Sequence, residues 1–243
     1  MAQHPHPLSS HRGPVTQAPR DQGSLPEVFA AAVGGIAELR PRPGLEFEPL
    51  PAPRRLAAYS HALSVTAAEQ RAEGDVELGS GRFVLLYEPE GHEEWLGSWR
   101  CVTFLQADLE PEIAEDPLLA EVTWSWLCEA LSGLGCAALG GTVSRCASSG
   151  FGELAGQETS ASVELRASWS PLPAGFDTAG GTPPGRLTAA RAGTFGAPWA
   201  QWTPQAAWGG LAAHVQAWSE CLATVVGLPP ELAGVARLPR LGG

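Results

Sequence analysis

The sequence predicts an α+β fold: an antiparallel sheet of about five to six strands, packed on one face by about three helices. Apolar residues recur at helical spacing in three widely separated stretches, and between them lie runs that alternate apolar with polar, joined by glycine-bearing connections of the hairpin kind. Strands broken by helices in this way favour a sheet covered on one face over a parallel doubly wound fold. No self-similarity at a period of roughly 20 to 50 residues appears, which removes solenoids and propellers. With 243 residues, 44% of them hydrophobic and 17% charged, the chain can bury one full core. The expected organisation is a disordered tail over 1–23, a single domain over 24–228 with a flexible loop or insertion over 173–203, and a C-terminal tail over 229–243.

Ser24 with Glu27 three residues on forms a capping box, and Val28, Phe29, Ala32, Val33, Ile36 and Leu39 then define a helix running to about Arg40. Pro41 and Pro43 stop it, and Leu45 to Glu48 alternates as a half-buried strand. Residues 56–66 fit either a strand or a helix. A turn at Gly79-Ser80-Gly81 precedes a strand at Arg82 to Tyr87, and residues 91–97 connect it to a second at Ser98 to Leu109. Asp116 as N-cap and Pro117 at N1 open a helix with an apolar stripe from Leu119 to Leu134. Strands at about 137–147 and 159–170 follow as a hairpin with a long tip. The last helix starts at Thr203, carries Trp208, Leu211, Val215, Trp218, Leu222 and Val225, and ends at Gly227 before Pro229 and Pro230.

Composition excludes several function classes. A formal charge of -11 opposes a polyanion, so nucleic acid is rejected as the main partner. No apolar run approaches the roughly 20 residues that span a bilayer, and no strongly cationic amphipathic stretch suggests a surface-lying helix, so no membrane contact is expected. Residues 1–23 lack an apolar stretch of the secretory kind. Five cysteines, Cys101, Cys128, Cys136, Cys146 and Cys221, include no C-x-x-C, which fits reduced, buried thiols and a cytoplasmic location better than disulfides or zinc. All fifteen basic residues are Arg, Lys and Asn are absent, and Ile occurs only at Ile36 and Ile113. These are the amino acids of A/T-rich codons, so the bias indicates a GC-rich bacterial genome.

Four segments in order carry a resemblance: RCVTFLQADLEPE at Arg100 to Glu112, DPLLAEVTWSWLCEAL at Asp116 to Leu131, LGGTVSRCASSGFGELAG at Leu139 to Gly156, and ELRASWSPL at Glu164 to Leu172. The chain resembles the actinobacterial domain of unknown function numbered three thousand, over roughly residues 25–172 plus the final helix. The resemblance implies an actinobacterial cytoplasm and supplies no activity, substrate or catalytic residue. The element order is also similar to that of small secretion chaperones, which are dimerising adaptors.

Five groups of residues are candidates for chemistry. Arg100, Arg145 and Arg166, with Glu164 and Ser168 on the same alternating face as Arg166, would present guanidinium forks to a carboxylate or phosphate, against the competing reading of cross-strand ion pairing. Gly140-Gly141 lacks the following helix of a phosphate cradle and reads as a bulge or a close strand approach. His92-Glu93-Glu94-Trp95 lacks the spacing of a metal site and reads as an exposed loop, so no metal and no cofactor are expected. Cys101, Cys128 or Cys146 would be a nucleophile only beside a histidine and an acid that spacing does not supply. Trp124 and Trp126 point about 200° apart on one helix, and Trp124, Trp199 and Trp202 would suit a partner surface. The function expected is a non-enzymatic binding or adaptor domain acting through protein–protein contact, with a protein partner or as a homodimer. The alternative is a small anionic-ligand-binding protein or enzyme using the Arg-bearing face.

Overall fold

Side-chain alternation along six strands gives one face to a helical layer and leaves much of the other exposed or half-buried among the described residues. In a computed structural model that describes residues 25–72, 74–154, 160–172 and 210–230, the strands are β1 (Leu45–Leu50), β2 (Tyr59–Arg71), β3 (Gly74–His92), β4 (Gly97–Leu109), β5 (Cys136–Ser148) and β6 (Ser160–Pro171). They form one antiparallel sheet in the order β1-β2-β3-β4-β6-β5. The first four make a meander. β6 then inserts between β4 and β5, which leaves β1 and β5 as the two edges.

Among the described residues four α-helices accompany the sheet: α1 (Glu27–Ala37), the single turn α2 (Pro111–Ala114), α3 (Leu119–Ala130) and α4 (Gly210–Val225). Along β4, Trp99, Cys101, Thr103, Leu105 and Ala107 are buried while the residues between them are wholly or partly exposed. The register carries the same buried face to Leu63, Val65 and Ala67 of β2, Phe83 and Leu85 of β3, and Val163, Leu165, Ala167 and Trp169 of β6. Against it lies α4, whose Leu211, Val215, Trp218 and Leu222 are at most 2% exposed. Each such side chain contributes roughly 1.5–3 kcal/mol by leaving water.

Close backbone approach explains two glycines. The expected turn at Gly79 to Gly81 is instead the interior of β3, and a Cβ on Gly81 would stand 2.6 Å from Trp218 Cζ2 and 2.9 Å from Phe104 O. Trp218 therefore lies against the sheet where β3 has no side chain. The hairpin turn comes earlier, where Arg71 faces Gly74, the latter at φ 124°.

Other boundaries also differ from the sequence expectation. Pro26 is the N-cap of α1 and makes no side-chain bond, its carbonyl accepting from Phe29 N and Ala30 N; Ser24 lies outside the described residues. α1 ends at Ala37 rather than Arg40, and residues 59–71 resolve the ambiguous segment as a strand. Asp116 Oδ1 accepts from Leu118 N at 2.8 Å, so it caps the turn just before α3, which begins at Leu119. α4 ends as expected, with Gly227 at φ 72° and Leu228 N donating to Ala223 O at 2.8 Å. The expected loop over 173–203 and the cap at Thr203 lie outside the described residues, as do Trp199 and Trp202.

Candidate functional site

The face of the sheet turned away from the described helices carries a shallow, open trough of about 400 Å3 among the described residues. Its floor is Val84, Val102 and Phe104, and a row of side chains crosses it from Arg82 on β3 through Phe104 on β4 to Arg166 and Thr142 on β6 and β5. Arg166 lies 5.0 Å above the Phe104 ring and pairs with Glu164 at 2.6 Å. Arg82 flanks the same ring from the other side, is exposed, and has no ion-pair partner among the described residues.

Arg100 lies on the same face just beyond the trough's lining, two residues past Val102 and roughly 13 Å from Phe104 along β4. Its side chain crosses β6: Nη1 donates to Ala138 O at 3.1 Å and Ser170 Oγ at 3.2 Å, and Nη2 to Ser168 Oγ at 2.6 Å. Every acceptor is neutral. Burial pulls the guanidinium pKa below its usual value, and no carboxylate among the described residues pairs with it.

The glycine pair belongs to the construction of this end. Pairing slips by one residue between Ala137 and Gly140, with Ala138 at φ 48°, and this bulge frees Ala138 O to hold Arg100. Gly141 is a close approach, since a Cβ there would stand 2.3 Å from Arg166 O and 2.8 Å from Trp124 Cζ3.

The sheet thus gathers Arg100, Glu164, Arg166 and Ser168 on one face. Arg145 lies on the opposite face. It pairs with buried Val163 and donates to Asp116 O at 2.9 Å, tying β5 to the start of α3. The bulge is the reason: one extra residue in β5 inverts which side chains point outward beyond it. Arg82 and Phe104 were missed. Both alternate with buried neighbours, so their outward direction was readable, but only the register shows that they flank one another. Trp124 is half-buried against the core, while Ile113 on α2, Leu118 before α3 and Val122 on α3 are exposed.

The remaining candidates sit elsewhere. His92 stacks on Trp95 at 4.8 Å in the β3–β4 connection, and no group of metal-binding side chains forms among the described residues. The five cysteines are unbridged. Cys101, Cys136 and Cys221 are buried on the helix side, where burial raises the Cys101 thiol well above its usual value and pushes Cys136 and Cys221 up to about 12; Cys146 is exposed rather than buried, and Cys128 is intermediate. His214 on α4 is 3% exposed and accepts from Trp169 Nε1–H on Nδ1 at 3.2 Å. An indole N–H only donates, so Nδ1 carries no proton, and burial lowers the imidazole pKa to about 4.

A family model matches residues 25–193, that of a protein of unknown function, DUF3000. The chain belongs to this family. The match spans the sheet, α1 and α3, continues past β6, and stops before α4, whereas the quoted segments suggested an end at Leu172 with the last helix included. No curated protein and no solved structure matches the chain, the secretion-chaperone likeness included. No described helix is long and apolar enough to cross a membrane.

Proposed function

We propose that this DUF3000 member is a non-enzymatic binding domain that docks a protein partner on the open face of its sheet, in the reducing cytoplasm of a GC-rich actinobacterium. The single observation that carries the reading is the trough itself: an apolar floor of Val84, Val102 and Phe104 left uncovered by the described helices and flanked by Arg82 and Arg166. Aromatic and Arg side chains at the centre of a desolvating patch are the usual anchors of protein interfaces. Its lining contains no His, Cys, Asp or Glu, which favours binding over proton transfer. Five unbridged cysteines support the compartment, and the missing Lys and Asn support the genome.

The half-buried charge of Arg100 favours a second reading, a small anionic ligand held at that end.

Site-specific photo-crosslinking in the native host tests the docking reading. A benzoylphenylalanine at Val102 is expected to give a discrete protein adduct that the same probe at exposed Glu121 on α3 does not give. The purified partner should then bind at least tenfold more weakly to Phe104→Ala, with melting unchanged. Equal adducts at both positions, or none at Val102, would overturn it.

A further inference from the structure

Resting on the docking reading, we infer that the trough takes an extended segment of the partner in which an acidic, an apolar and a second acidic residue alternate with neutral ones. The carboxylates would meet Arg100 at one end and Arg82 at the other, with the apolar side chain over Val84, Val102 and Phe104.

Charge complementarity names this occupant. The whole chain carries a formal charge of -11, yet Arg82 and Arg166 line the trough and Arg100 stands on the same face just beyond Val102, and of the three only Arg166 has a carboxylate partner among the described residues, Glu164. Arg82 has none among the described residues. Arg100 is the stronger indicator, because its fork is already oriented by Ala138 O, Ser168 Oγ and Ser170 Oγ while its charge remains uncompensated. A cation taken partly out of water is costly without a counter-ion, and a preoriented fork recovers that cost when a carboxylate arrives. Nε and one Nη2–H have no acceptor among the described residues, so two donors remain to receive it.

Spacing sets the pattern. Arg100 and the Arg82–Phe104 row are four residues apart along β4 with Val102 midway, roughly 13 Å in an extended chain. In a strand laid along the trough, side chains at i, i+2 and i+4 point to one side, so acids at i and i+4 reach the two ends and an apolar residue at i+2 reaches the floor.

Fluorescence polarisation with fluorescein-Thr-Glu-Thr-Leu-Thr-Glu-Thr tests the inference. Saturable binding is expected, weakened at least tenfold when both Glu are replaced by Gln, and weakened as much by Arg100→Gln and by Arg82→Gln. Arg145→Gln, on the opposite face, should bind as the wild type does. Arg82 is exposed and unpartnered among the described residues, so its variant tests the site even if Arg100→Gln unfolds. Equal binding of the Gln probe, no binding of the Glu probe, or competition by free suberate at the peptide's own concentration overturns the inference. If crosslinking at Val102 still captures a partner while the acidic probe fails, the acidic pattern falls and the docking reading stands; if both fail, both fall.

Discussion

The two faces of this sheet are cut from the same six strands and obey opposite rules. On the helix side three tryptophans, Trp99, Trp169 and Trp218, are at most 1% exposed, and glycines at 79, 81 and 141 are spent on close approach. On the open side Arg82 and Arg166 flank an apolar floor with Arg100 just beyond it, and Gly140 has nothing within 4 Å of where a Cβ would stand. One face is shaped by what already fills it. The other keeps side chains whose charge and apolar area are incompletely used, the usual condition of a surface that meets something else.

Substitutions should separate the faces sharply. Trp218→Ala empties the centre of the helix interface and should cost about 3–5 kcal/mol in urea denaturation, and Gly81→Val, which drives a side chain into Trp218 and Phe104 O, about 1–3 kcal/mol. Arg82→Ala on the open face should change stability by less than about 0.5 kcal/mol. A comparable loss at both sites would remove the distinction.

His214 sharpens the comparison through pH. Its folded pKa of about 4 lies below the ordinary 6.5, so the unfolded chain binds the proton more readily between these values. The stabilisation is complete above pH 6.5 and is lost as pH falls toward 4, by about 3 kcal/mol. His61, also lowered by burial, adds the same sign. Unfolding midpoints of wild type minus His214→Gln across that range isolate the His214 share, and a flat difference would contradict the buried, neutral imidazole.

Thiol labelling gives the smallest effect and the simplest readout. Intact-mass analysis with iodoacetamide near pH 8 should show one fast label, at exposed Cys146, removed by Cys146→Ser. Cys101, Cys136 and Cys221 should react only in denaturant.

Period-2 alternation and helical spacing made the α+β class, the one-sided helical layer and most strand positions readable before any coordinates. Alternation also put Glu164, Arg166 and Ser168 on one face, but not whether that face is solvated or covered by helices. What alternation cannot report is which strand lies beside which, or where pairing slips. The place of β6 between β4 and β5 is set by long-range contacts, so the Arg82–Phe104–Arg166 row was invisible. The bulge at Ala138 reversed Arg145. Gly79 and Gly81 read as a turn because a glycine that makes room for a distant tryptophan has the same local signature as one that bends the chain.

The strand order also has a consequence for how the chain assembles as it leaves the ribosome. β1 to β4 can pair as they emerge, since each meets its predecessor across a short connection. The second edge of β4, with Trp99, Cys101 and Leu105 on its core side, must wait for α3, β5 and β6 to be synthesised. Until then it is an unpaired apolar edge, the kind of segment on which nascent chains associate wrongly. Of the described elements α4 arrives last and packs on strands of both halves, so slowing synthesis before Ser160 should raise misfolding far more than slowing it before Leu45.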